Sequence, residues 1–126
     1  MQTFRNLKVW EKAHALTLDV YRSSAGFPRS EVYGVTNQMR RSAASIGANI
    51  AEGCCRKGDA ELGRFLQIAM GSASEPEYHL LLARDLAFLN PPEYQRLNEE
   101  VVEVKRMLSS LLRWLRTDSG RLKADS

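Results

Sequence analysis

A chain of 126 residues, 44% of them apolar, has the length and composition of one globular domain and excludes a disordered or fibrous protein. Its net charge is +3, and the whole excess lies in residues 1–63, which hold nine Lys/Arg against six Asp/Glu, while residues 64–126 hold nine of each. Adjacent Cys54 and Cys55 cannot staple a small secreted fold, no apolar run approaches the ~20 residues of a membrane helix, and no signal-peptide core follows Met1, so a soluble, cytoplasmic protein is expected.

Taken in chain order, the first helix is expected over about Leu7–Ala25, with Trp10, Ala13, Thr17, Val20 and Tyr21 on or near one face. Gly26 and Pro28 end it. The second is read over Tyr33–Gly53, with Ser30 placed to cap it and Glu31 in its first turn. Val32, Val35, Met39, Ala43, Ile46 and Ile50 recur at spacings of three and four, the period of a core-facing stripe. Ala44, Gly47, Ala48 and Ala51 form a second seam, small enough for another helix to approach closely. Arg40 and Arg41 sit among these residues, with Asn49 and Glu52 near the helix end.

Gly53 and Gly58 bracket a break, and Asp59 is placed to cap a third helix reaching about Leu89, with apolar positions at Leu62, Phe65, Leu66, Ala69, Ala73, Leu80, Ala83 and Leu86. Pro76 falls in its middle, where a proline removes one backbone donor and costs roughly 3 kcal/mol. A kink near Pro76 is expected, with two shorter helices as the alternative. Asn90 caps the fourth helix, with Pro91 at its first position and Glu93 where a capping-box carboxylate stands. Its stripe is Tyr94, Leu97, Val101, Val104, Leu108, Leu111 and Leu115. Early Glu93, Glu99, Glu100 and Glu103 and late Lys105, Arg106, Arg113 and Arg116 complement the helix dipole.

Short connections between such helices predict an all-α, antiparallel up-down-up-down four-helix bundle over residues 1–116, with 117–126 as a flexible polar tail. Apolar residues exceed what one helix face needs at Phe65–Met70 and at Leu80, Leu81 and Leu82, and self-association would cover the surplus.

Several segments, in order and spacing, carry a family resemblance: Phe4–Trp10; Phe27-Pro28 followed by Glu31 and Tyr33-Gly34; Gln38–Ala43; Ser45–Gly53; and Phe65–Ser72 with Glu75 and Glu77. They resemble the bacterial four-helix bundle proteins related to those encoded in intervening sequences of large-subunit ribosomal RNA genes, and the likeness covers nearly the whole chain. Pro76 departs from the pattern, since relatives usually continue the helix there with an ordinary residue. The resemblance implies a four-helix bundle assembled as a homopentamer. Accessory variability proteins of diversity-generating retroelements look similar; they are basic pentameric bundles that work with a reverse transcriptase and its RNA. Their retroelement role is not carried over.

No nucleophile with an orienting partner, glycine-rich phosphate loop or metal-ligand spacing is present, with His14 and His79 on separate segments, so no catalytic residue, metal or cofactor is expected. Asn49 and Glu52 read either as part of a ligand site or as helix-packing and interface polar groups that cap a neighbouring helix or pair with Arg40 or Arg41. Buried polar pairs fix register in bundles, which favours packing. Arg40, Arg41, Arg56, Lys57 and Arg64 are the candidate nucleic-acid-binding residues, ringed in a pentamer whose charge would be five times +3, or +15. The expected partners are other copies of the chain and RNA or DNA bound without sequence specificity, with no membrane. A protein-interaction scaffold with no nucleic-acid role is the alternative.

Overall fold

The computed structural model describes residues 3–125, with side chains through Thr117. After a 3-10 turn at Phe4–Asn6 come α1 (Lys8–Ser24), a second 3-10 turn (Arg29–Glu31), α2 (Val35–Cys55), α3 (Asp59–Asp85) and α4 (Pro91–Asp125). Among the described residues there is no strand. The helices run up-down-up-down, with α1 packed on α2 and α4, and α3 packed on α2 and α4. The expected 117–126 tail falls almost wholly on residues whose side chains lie outside those described.

The core is built from one stripe of each helix. Val9, Ala13, Leu16 and Val20 of α1 meet Val35, Met39, Ala43, Ile46 and Ile50 of α2; Leu66, Ala69, Ala73, Leu80 and Ala83 of α3 meet Leu97, Val101, Val104, Leu108, Leu112 and Leu115 of α4. Three details differ from the sequence expectation. Leu16 takes the α1 core position, while Thr17 is half-buried and Tyr21 is 46% exposed. Leu112 is buried where Leu111 is only partly so. Val32 is 50% exposed because α2 begins three residues later, at Val35.

The helix ends account for the last of these and differ from expectation elsewhere. Ser30 caps nothing: it lies inside the short 3-10 turn, and Gly34 is the α2 N-cap with no side-chain hydrogen bond. At its other end α2 continues through Cys54 and Cys55, so these thiols occupy its last turn rather than a loop. Asp59 opens α3 rather than capping it, and Gly58 before it takes φ +87°, a conformation glycine adopts without strain. Asn90 does cap α4, its Oδ1 accepting from the Glu93 backbone N–H at 2.9 Å.

α3 is continuous through Pro76, which excludes the two-helix alternative. Pro76 is fully buried and continues the stripe Leu66, Ala69, Ala73, Pro76, Leu80, Ala83. Its ring therefore fills a core position and offsets with packing some of what the missing backbone donor costs. α3 ends four residues earlier than expected, in a Schellman closure. The Phe88 and Ala87 N–H groups donate to the carbonyls of Ala83 and Arg84, both at 2.9 Å, with Ala87 at φ 64°. Phe88 then packs on Phe27, ring centroids 5.5 Å apart, which ties the α1–α2 and α3–α4 turns together at one end.

Candidate nucleic-acid interface

The opposite end of the bundle carries the α2–α3 turn. Arg56, Lys57 and Gly58 connect the helices there, and the turn can be tight because Gly58 accepts a positive φ. Close approach of α2 to α3 needs a second glycine. A Cβ at Gly53 would stand 2.9 Å from the Phe65 Cβ and 3.1 Å from the Leu62 Cδ1. With those contacts in place, Arg56 and Arg64 converge on one ring. Their guanidinium carbons lie 5.2 and 4.5 Å from the Phe65 centroid.

Each of these arginines also has a carboxylate partner on its own helix. Arg56 Nη2 donates to Glu52 Oε1 at 2.8 Å, and Arg64 grips Glu61 through Nε and Nη2 at 3.0 and 3.2 Å. The Arg64 hydrogen bonds, with help from the Arg64 and Arg56 charges, hold the Glu61 carboxyl below its ordinary range. Both arginines are about half exposed, so the pairs are weak and can be exchanged for another anion. Lys57 is exposed. It stands with Arg56 over a hollow of about 560 Å³ whose apolar wall is Leu7, Cys54 and Leu62. An adjoining hollow of about 370 Å³ brings Arg116 of α4 beside Arg64 and Asp59.

The five candidate basic residues are therefore split. Arg56, Lys57 and Arg64 come together, and Arg116, read from sequence only as a dipole-complementing charge, joins them. Arg40 does not: sixteen residues up α2, roughly 24 Å away, its Nε donates to Ser24 Oγ at 2.8 Å and its Nη2 to the Tyr21 carbonyl at 3.1 Å. Its guanidinium also lies 4.7 Å from the Tyr21 ring centroid, so Arg40 fastens the C-terminal turn of α1 to α2. Arg41 is exposed beside a polar hollow between α2 and α3 that Glu75 and His79 also line. Burial lowers the His79 pKa against the opposing influence of Glu75, and its Nδ1 meets no hydrogen-bond partner among the described residues.

Asn49 and Glu52 act within the bundle and do not meet Arg40 or Arg41. Asn49 Nδ2 donates to the Ser45 carbonyl at 2.8 Å and to Ser45 Oγ at 3.1 Å, and Ser45 Oγ is 3.1 Å from Ser72 Oγ of α3, a polar chain that registers the two helices. Glu52 pairs with Arg56. The small-residue seam borders α1: a Cβ on Gly47 would lie 3.4 Å from Trp10 Nε1, and Trp10 stacks on His14 at 4.9 Å. Ala44 and Ala48 remain exposed along that groove.

One cluster was hidden from sequence reasoning. Arg96 of α4 holds Asp19 of α1 through two hydrogen bonds, 3.0 and 3.1 Å, and Glu100 one turn on lies against the same Asp19. Burial, then the hydrogen bond and charge of Asp19, push the Glu100 carboxyl up to about 7. Partners 77 positions apart leave no local signal.

Among the described residues no group of three or more His, Cys, Asp or Glu side chains could hold a metal ion, and no helix is long and apolar enough to cross a membrane. Cys54 is buried, which raises its thiol pKa, and Cys55 is exposed. A family model described as 23S rRNA-intervening sequence protein matches residues 5–110. Among solved structures, the chain is similar to a protein of unknown function from the S23 ribosomal protein family of Bacteroides thetaiotaomicron VPI-5482. The two share 26% identity at a TM-score of 0.74, over 82% of this chain and 97% of that one. No curated protein matches the chain.

Proposed function

Since the chain belongs to the 23S rRNA-intervening sequence protein family, whose matched structural relative has no known function, we propose a non-enzymatic, self-associating bundle that binds RNA or DNA. Contact is through the phosphate backbone, without sequence specificity. The observation that carries this reading is the convergence of Arg56, Lys57, Arg64 and Arg116 at one end. In a homo-oligomeric ring, pentameric as the resemblance implies, that end repeats around the axis and multiplies a modest monomer surplus. Salt-sensitive affinity for phosphates follows. The Phe65 ring that Arg56 and Arg64 bracket is buried, so contact there falls on phosphates rather than on a base stacked against that ring.

Binding of the purified protein to a fluorescent RNA hairpin and a matched DNA duplex across a salt series tests this. Both ligands should bind with affinity falling steeply as salt rises. Arg56→Glu/Lys57→Glu should flatten the log–log slope by about two units per chain in contact and weaken binding at least tenfold, roughly the loss of two phosphate contacts. Absence of binding at low salt by an intact oligomer would remove the proposal. One observation favours a second reading, a protein-interaction scaffold: Arg56 and Arg64 already have Glu52 and Glu61 as partners, and Arg40 is held within the fold.

A further inference from the structure

Phe65 is buried, yet it stands outside the continuous core that the four helical stripes form. What lies on its ring is charge. The guanidinium carbons of Arg56 and Arg64 are 5.2 and 4.5 Å from the ring centroid, both inside the ~6 Å reach of a cation–π contact. The two cations come from different helices. Arg64 precedes Phe65 on α3, whereas Arg56 follows the last turn of α2 and reaches the ring because Gly53, three residues earlier, lets α2 close on Phe65. Glu61 registers the meeting: after the Arg64 hydrogen bonds, the charges of both Arg64 and Arg56 lower its carboxyl.

A long, charged surface side chain loses rotamer freedom when a ligand fixes it, and that loss weakens binding. Here both arginines are largely fixed before any ligand arrives. Each lies against the ring and is held by a carboxylate, Arg56 through Nη2 by Glu52 and Arg64 through Nε and Nη2 by Glu61. Those bonds use one of the five donors of Arg56 and two of the five of Arg64. Both side chains stay about half exposed, so an anion in water can reach them. Planar forks held in this way suit phosphate oxygens, and a lysine, with a point charge on a flexible stem, has no plane to align.

We propose that Phe65 is the positioning residue of the basic end: its ring aligns Arg56 and Arg64 as a two-arginine clamp for one phosphate group. This rests on the reading that the basic end meets nucleic-acid phosphates, and adds that alignment, beyond charge, sets the affinity. A leucine at position 65 would keep an apolar side chain between α2 and α3 but give the guanidiniums no face to lie on. Lysines at positions 56 and 64 would keep the charge but lose the forks.

A mutant cycle at constant charge tests this, with wild type, Phe65→Leu, Arg56→Lys/Arg64→Lys and the variant combining all three changes. The fluorescent RNA hairpin is one probe. Inorganic phosphate is the other, titrated into ¹⁵N-labelled protein while the Arg56 and Arg64 Nε–Hε resonances are followed. Because all four proteins carry the same charge, the salt slope should stay constant while affinity changes. Phe65→Leu should weaken RNA binding by about fivefold, the worth of two exposed cation–π contacts, and the lysine pair by at least as much. In the lysine background Phe65→Leu should have no further effect. Additive losses, which a role for Phe65 in packing alone gives, would overturn the proposal. Should Phe65→Leu fail to fold, the lysine pair still decides, since its side chains are exposed and wild-type affinity in it would overturn the clamp. Phosphate should move both arginine resonances together in wild type, where sodium chloride at matched ionic strength does not; independent responses would overturn the clamp too. RNA that fails to bind while phosphate moves both resonances would remove the nucleic-acid reading and leave the clamp standing. RNA that binds all four proteins equally would do the reverse.

Discussion

Glu100 sits where its ionisation is opposed from two sides: burial disfavours its charge, and Asp19, already held as an anion by Arg96, repels a second one. Its buried Oε2 has no hydrogen-bond partner among the described residues, so nothing there stabilises a charge on that oxygen. Lys12 and Arg96 supply the opposing positive charge and lower the pKa less than burial and Asp19 raise it. Because the folded-state pKa, about 7, lies above the ordinary 4.5, the protonated contact stabilises fully below 4.5 and is lost as pH rises through about 7. Asp19 has the opposite sign: its pKa is lowered, chiefly by the Arg96 hydrogen bonds, so its contribution is present above the ordinary 3.8 and fades as pH falls through its depressed value. Urea unfolding should show wild-type stability declining from pH 5 to pH 8, and Glu100→Gln should abolish most of that decline. The variant should match wild type within about 0.5 kcal/mol at pH 5 and exceed it at pH 8. A parallel decline in both proteins would refute the assignment. In the sequence Glu100 is one of four acids in the early turns of α4, and the dipole accounts for all four. Only the packing of α1 on α4 singles it out.

At the scale of elements, the α3–α4 junction holds the one non-glycine residue with positive φ among those described, Ala87 at 64°. The left-handed region costs a residue with a Cβ about 1–2 kcal/mol, and glycine returns part of the gain through its freer unfolded chain. Ala87→Gly should therefore stabilise the fold by roughly 0.5–1 kcal/mol and raise the melting temperature by about 2–4 °C. A lower midpoint would show that the turn has another conformation. Periodicity located all four helices and most of their buried faces, and Asn90–Pro91–Glu93 marked the start of α4 correctly. The misses fall at boundaries. Ser30-Glu31 has the composition of a cap but belongs to a 3-10 turn, and Gly34 three residues later breaks the chain's course before α2 can begin. Pro76 was legible as an exception and not as a packing residue, because a proline's burial depends on which face of α3 the α2 and α4 helices cover.

The molecule as a whole leaves large apolar side chains in water: Tyr33 at 90%, Tyr78 and Trp114 at 60%, Val32 at 50% and Leu86 at 47%. They are distributed over the α2 approach, α3 and α4, and a ring requires two different surfaces that fit each other in this way. Light scattering should give a mass several times the 14.2 kDa of one chain, five times for a pentamer, and Trp114→Glu or Tyr78→Glu should reduce it if these faces meet. A monodisperse 14.2 kDa species at micromolar concentration would exclude the ring. The candidate site was partly legible at this scale. Arg56, Lys57 and Arg64 are near one another in sequence and remain so in space, whereas Arg40 and Arg41 join them only in a linear view of the chain. Arg116 belongs with the first three because an even number of helices returns α4 to the starting end.

That return has a practical side. Leu7, ahead of α1, shares a hollow with Arg56 and Lys57, and Arg116 shares one with Arg64. Anything attached before Leu7 or beyond Arg116, whether an affinity handle, a fluorescent reporter or a fused domain, is thereby tethered beside the α2–α3 turn. An acidic attachment would shield that turn and a basic one would imitate it. The Phe27 and Phe88 turns, at the far end, are the places to anchor the protein to a surface while leaving its working end open.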